Sequence, residues 1–274
     1  MIRLTLSLRI SLLVATCLIA APSSAQNVAA KSARPFTGTW KGDIASAKLP
    51  EKIDVFQLKD GRYTCPSCVP AVAVKADGTP QASAGHDYWD HLAVKAVDAN
   101  TVAYTYYRAG KVMTSSTDTL SADGKTLTSN WRSNDNAKGL EQSGTSTETR
   151  VAPAAPGAHA ASGSWKQAEI KQISDSNLIL ILDDTGTALK MSQPSGEHYT
   201  ASFGGPAVPF VGDPGKTMIK VRRVGPRTIE ETDTRGGKIV AVYTMTLGPD
   251  DKTLAVKVDN RQQGTTTQFV AYRQ

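Results

Sequence analysis

Thr101-Val-Ala-Tyr-Thr-Tyr-Tyr-Arg-Ala-Gly-Lys111 and Thr228-Ile-Glu-Glu-Thr-Asp-Thr-Arg-Gly-Gly-Lys238 are one stretch written twice in a chain of 274 residues. They lie at the centre of two segments, residues 97–127 and 224–254, that align without a gap. The segments share Thr101/Thr228, Arg108/Arg235, Gly110-Lys111/Gly237-Lys238, Thr117/Thr244, Thr119-Leu120/Thr246-Leu247 and Lys125-Thr126-Leu127/Lys252-Thr253-Leu254. Working outward, Phe36-Thr-Gly-Thr-Trp40-Lys matches Ala161-Ser-Gly-Ser-Trp165-Lys, and Tyr63-Thr with Pro70-Ala-Val matches Tyr199-Thr with Pro206-Ala-Val. A duplication makes each copy a control for the other: what the fold needs recurs, and what a site needs is free to differ.

Both copies read as β-structure. Runs rich in Val, Thr, Tyr and Ile recur about every 8–12 residues between Gly, Asp and Pro signals. Ile53 to Leu58 and Arg62 to Thr64 flank Asp60-Gly61. Met113 to Leu120 and Lys125 to Trp131 flank Asp123-Gly124. Glycine suits such turns because it accepts a positive φ without a Cβ clash. No stretch reads as a long amphipathic helix. The division expected is a first barrel over residues 36–151, a second over 162–274, and a Pro/Ala linker over 152–161. The fold class is all-β, with two tandem small antiparallel barrels.

The ends of each copy carry a further likeness. Gly38-Thr-Trp40 opens the first and Arg150 ends it; Gly163-Ser-Trp165 opens the second and Arg273 ends it. This resembles the calycin group, the lipocalins and fatty-acid-binding proteins. The resemblance implies that an arginine of the last strand packs over the first-strand tryptophan to close the barrel. It also implies a small, often apolar, internal ligand. The tandem layout is similar to that of exported bacterial proteins, a likeness that implies no function.

The N-terminus predicts export. Residues 1–9 carry Arg3 and Arg9, residues 10–21 are apolar, and Ser23 and Ala25 are small residues at the −3 and −1 positions of a cleavage site. That is a signal peptide over residues 1–25, too short in its apolar part to span a bilayer. An N-terminal tail over 26–35 follows it. The alternative is a lipoprotein anchor on Cys17. Cleavage near Ala25 predicts a periplasmic or secreted protein with no transmembrane segment, and lowers the formal charge from +6 by the two arginines to +4. The basic residues are scattered along strands, without the concentrated basic face a nucleic-acid reader needs.

One constellation departs from the repeat. Cys65-Pro-Ser-Cys68 and His86-Asp-Tyr-Trp-Asp-His91 have no Cys or His counterparts in the second copy. Three readings stand. In an oxidising compartment Cys65 and Cys68 form a disulfide that closes a tiny loop. Cys65, Cys68, His86 and His91 together form a Cys2His2 set for zinc or copper. Or the C-x-x-C exchanges disulfides, a role that normally wants a helix N-terminus after the first cysteine. No G-x-S-x-G, H-E-x-x-H, P-loop or dinucleotide fingerprint is present. In the second copy Ile239, Ala241, Tyr243, Met245 and Leu247 form an apolar face at period two, suited to a pocket wall. The aligned face of the first copy is polar. The residues therefore point to a non-enzymatic binding or interaction protein, with a small-molecule ligand or an envelope component as partner and no resident cofactor. A metal-handling protein is the alternative, and a hydrolase in which a Ser or Cys meets a His is a third reading.

Overall fold

A computed structural model describes residues 34–274. Residues 1–25 and Cys17 lie outside the described residues, as does most of the 26–35 tail. The chain forms β1 (Gly38–Lys48), β2 (Ile53–Lys59), β3 (Arg62–Cys65), β4 (Val72–Lys75), β5 (Gln81–Ala82), β6 (His91–Ala96), β7 (Thr101–Arg108), β8 (Lys111–Leu120), β9 (Thr126–Ser133) and β10 (Gln142–Ala152). It continues with β11 (Gly163–Ile173), α1 (Asp175–Leu178), β12 (Ile179–Asp184), β13 (Ala188–Ser192), β14 (His198–Ser202), β15 (Val208–Pro209), β16 (Met218–Gly225), β17 (Thr228–Arg235), β18 (Lys238–Leu247), β19 (Thr253–Asn260) and β20 (Thr265–Arg273).

These strands make two nearly closed antiparallel sheets of ten strands each, in the orders β4-β3-β2-β11-β10-β9-β8-β7-β6-β5 and β14-β13-β12-β1-β20-β19-β18-β17-β16-β15. An isolated bridge narrows each ring, Asp77 with Lys95 in one and Phe203 with Val221 in the other. The all-β expectation and the pair of barrels hold.

The division between the barrels differs from the limits of the copies. β1 pairs with β12 and β20 of the second sheet, and β11 pairs with β10 and β2 of the first. The first barrel is thus the continuous run β2–β11, and it is inserted between β1 and β12 of the second. Residues 152–161 do not join two domains. They form the hairpin loop between β10 and β11, fastened to the first barrel by the His159 amide donating to the Leu58 carbonyl (2.8 Å) and the Leu58 amide donating to Ser162 Oγ (2.9 Å). The physical reason lies in loop length. A ten-residue loop returns β11 antiparallel to β10, and the chain then crosses between barrels at residues 49–52 and through the one-turn α1.

The Trp/Arg closure is therefore crossed. Arg273 lies 4.2 Å over Trp40 and Arg150 lies 4.2 Å over Trp165. In the register Trp40 faces Arg273 and Trp165 faces Arg150. Both tryptophans are fully buried, and each indole donates to a carbonyl four residues back, Phe36 (2.9 Å) or Ala161 (3.1 Å). Each guanidinium also ties down the chain around it. Arg150 donates to the carbonyls of Gly124, Ala160 and Ser162, and Arg273 to those of Asp251, Pro35 and Thr37. A guanidinium on an indole face adds about 0.5–2 kcal/mol to such a closure, and these half-buried arginines fall inside that range.

Candidate functional site

The two barrel interiors differ. The first is filled by its own aromatic side chains. Tyr63 packs edge-on to Tyr104 with centroids 5.5 Å apart, and Trp89 edge-on to Tyr106 at 5.3 Å. In the second copy the positions aligned with Tyr104, Tyr106 and Trp89 hold Glu231, Asp233 and Lys216. The first two are buried, at 6% and 7% exposure, while Lys216 is exposed. Three large plugs are gone, and a cavity of about 440 Å3 occupies the second barrel and opens toward the first. That is within the range of small-ligand sites, about 300–1,000 Å3.

The register of β17–β20 sets the cavity in layers. Ile229, Met245, Val256 and Phe269 stand side by side as one apolar rung. The next holds Glu231, Tyr243, Val258 and Thr267, and the outermost holds Asp233, Ala241, Asn260 and Thr265. Met245, Val256, Phe269 and Ala271 line the apolar depth, with Met191 and Leu180 from the opposite wall. Tyr199, itself buried, donates its hydroxyl to Glu231 Oε2 at 2.5 Å.

The mouth is built jointly by both barrels. The β5–β6 loop of the first barrel places His86, Asp87, Tyr88 and Trp89 along it. Arg235 holds this loop: Nη1 donates to Asp87 Oδ2 (3.0 Å), Nη2 to the Tyr88 hydroxyl (2.5 Å) and Nε to Thr217 Oγ1 (2.8 Å). Gln262 Nε2 also donates to Asp87 Oδ2 (3.0 Å). Burial, with the negative charge of Asp213 beside it, raises the Tyr88 pKa well above that of a free phenol, against the opposing Arg235. Burial likewise holds the His86 pKa down at about 4, against Asp87. His86 stacks on Trp89 with ring centroids 3.7 Å apart. A second inter-barrel contact lies nearby, where the Ala137 amide donates to Glu197 Oε1 (3.0 Å) and Lys138 Nζ to the Pro194 carbonyl (3.0 Å).

Of the face expected to line a pocket, Ala241, Tyr243 and Met245 do so. Ile239 does not: a register shift between Asp233 and Thr234 inserts one extra residue in β18. The alternation slips by one, leaving Ile239 52% exposed and turning Val240 inward. Leu247 is buried in the second core cluster, outside the cavity lining. Sequence reasoning missed Glu231, Asp233, Val256 and Phe269. The usable signal was the alignment that sets Glu231 on Tyr104 and Asp233 on Tyr106.

Cys65 and Cys68 are joined as a disulfide, and Cys68 borders the cavity mouth. The Cys2His2 set is not gathered. The two sulfurs are bonded to each other, His86 stacks on Trp89, and His91 Nδ1 meets Asp90 Oδ1 at 2.7 Å. Among the described residues no three His, Cys, Asp or Glu side chains come together as a metal site. His86 lies in the β5–β6 loop and His91 at the start of β6, and each imidazole is engaged by its own neighbours. The C-x-x-C is followed by β4 and not by the helix that would stabilise a thiolate. Ser83 Oγ lies 3.1 Å from His86 Nε2, a Ser–His encounter of the hydrolase kind. Among the described residues no carboxylate hydrogen-bonds that imidazole, so a triad lacks its third member. No helix among the described residues is long and apolar enough to cross a membrane.

Comparison with protein-family models and with curated proteins returned no match.

Proposed function

We propose that this protein is an exported binding protein that holds one small amphipathic molecule in its second barrel, with the first barrel serving as a filled partner that builds the mouth. The observation that carries the reading is the unequal filling of duplicated barrels: aromatic side chains occupy the first, and a cavity of about 440 Å3 occupies the second. An apolar depth with a few convergent polar groups is the usual make-up of a small-molecule site. The likeness to calycins supports the same reading, through the G-x-W and arginine closure and the internal position of the ligand. Export to the periplasm or medium rests on the leader over residues 1–25, and the mature chain then begins near Gln26.

The test is binding of a neutral, environment-sensitive fluorophore such as N-phenyl-1-naphthylamine to the mature protein. Saturable binding is expected, and Val256→Phe, which places a ring in the cavity, abolishes it while the protein stays folded. Absence of saturable binding, or binding that Val256→Phe leaves intact, contradicts the reading.

A further inference from the structure

We propose that the Cys65–Cys68 disulfide is a redox-sensitive brace on the mouth of the second barrel's cavity. A dithiol that reduces it loosens the first-barrel loop at that mouth and speeds exchange of the bound molecule. The inference rests on the binding reading above and adds a regulation of the same site.

Three observations carry it. First, the disulfide stands at the mouth: Ser67, Cys68 and Val69 border the cavity together with His86, Tyr88 and Trp89. Second, its loop supports the β5–β6 loop. Pro70 packs so closely on Gly85 that a Cβ there would lie 3.1 Å from Pro70 Cγ, and Cys68 and Tyr88 pack on the same core of the first barrel. Tyr88 then reaches the second barrel. A Cβ on Gly215 would come 2.9 Å from its Cζ, and its hydroxyl accepts from Arg235 Nη2. Packing contacts thus run from the disulfide loop to the Arg235 latch. Third, the second copy dispenses with the bridge: Ala201 and Gly204 stand at the positions of Cys65 and Cys68, so the barrel architecture does not require it.

The two sulfurs are unequally placed. Cys65 is fully buried, whereas Cys68 is half-buried at the cavity rim, so an incoming thiolate meets Cys68 Sγ. A mixed disulfide forms there, the Sγ–Sγ bond breaks, and Cys65 leaves as a thiolate that takes up a proton. Ser67 Oγ, 3.6 Å from Cys65 Sγ, is a polar group beside that leaving sulfur. The second thiol of the reductant, as thiolate, then displaces Cys68, which is protonated in turn. In all, two electrons and two protons pass to the cysteine pair, and the dithiol ends as a disulfide. Ser67 still accepts from the Val55 amide (2.8 Å) after the bridge opens, and closing so short a loop adds less to global stability than bridging a long one. The barrel stays folded, and the loosening is confined to the mouth.

The test times the release of N-phenyl-1-naphthylamine from the mature protein, mixed with excess β-cyclodextrin to trap the dye, before and after treatment with dithiothreitol. Intact mass confirms the gain of two hydrogens. Cys65 and Cys68 are the only cysteines of the mature chain, so any such gain belongs to this bridge. Release is expected to be about tenfold faster from the reduced protein, the order of effect that opening a short loop allows, and to slow again on reoxidation. Cys65→Ala with Cys68→Gly, which installs the residues of the second copy, is expected to release at the fast rate with or without reductant. The comparison of oxidised and reduced parent protein decides the matter even where this variant folds poorly. Equal release rates from the two states, or a bridge that dithiothreitol cannot open in the folded protein, overturn the redox brace and leave the cavity standing as a binding site. Failure of the fluorophore to bind the oxidised protein overturns the cavity reading, and this inference with it.

Discussion

Arg273, on the last strand, holds its guanidinium 4.2 Å over the indole of Trp40, on the first strand of the other copy. The equivalent pair, Arg150 over Trp165, has the same separation. Each barrel is thus closed by a tryptophan that sequence order assigns elsewhere, and the insertion of one barrel inside the other follows from it.

A double-mutant cycle reads this crossing directly. Trp40→Leu with Arg273→Lys is expected to show a coupling of about 0.5–2 kcal/mol in urea unfolding. Trp40→Leu with Arg150→Lys is expected to be additive within about 0.5 kcal/mol, because those residues share no contact. The reverse pattern would place β1 in the first barrel.

The same topology decides which fragments fold. Residues 50–174 contain every strand of the first barrel, and this fragment is expected to unfold cooperatively with a fixed near-ultraviolet circular dichroism signal. Residues 36–151 contain β1, which has no partner in that sheet, and lack β11. That fragment is expected to lose the fixed signal. A cooperative transition in residues 36–151 alone would contradict the insertion.

Exchange of one cross-strand pair tests why the second barrel is hollow. Tyr104 faces Ser116 in the first barrel, and Glu231 faces Tyr243 at the aligned positions of the second. Glu231→Tyr with Tyr243→Ser transplants the first pair into the second barrel. The expected result is loss of fluorophore binding by about tenfold or more, with stability unchanged or raised, since a buried carboxylate is removed. Undiminished binding would show that this layer does not shape the site.

His86 gives a pH signature. Its folded pKa, lowered to about 4 by burial, lies below the 6.5 of a free imidazole. The fold therefore favours the neutral ring. The stability linked to it is fully present above pH 6.5 and is lost as the pH falls toward about 4, while the unfolded chain takes up the proton first. In the His86→Gln variant the unfolding midpoint is expected to fall less steeply across that window than in the parent. Equal slopes would show that the imidazole titrates as if exposed.

Much of this was legible in the residues. The repeat, the β-class, the paired Trp and Arg anchors and the cysteine pair all follow from local chemistry. The crossing of β1 and β11 does not. Gly38-Thr-Trp40-Lys and Gly163-Ser-Trp165-Lys offer nearly the same side chains, so either strand suits either arginine, and only loop lengths break the tie. Ile239 was misplaced because a single bulged residue inverts a period-two pattern from that point. Glu231 and Asp233 were overlooked because acids on a strand read as a solvated face. Their burial depends on the strands that complete the barrel around β17, which one strand's pattern does not reveal.

The most direct measurement of the account is a methyl spectrum of the mature protein carrying 13C-methyl methionine, recorded as N-phenyl-1-naphthylamine is added. Met191 and Met245 line the cavity of the second barrel, and Met113 lies on β8 of the first. The account predicts that the Met191 and Met245 signals move with the binding isotherm while Met113 stays fixed. Movement of Met113 with those two unmoved, or no methyl shift at saturating fluorescence, would contradict a ligand site inside the second barrel.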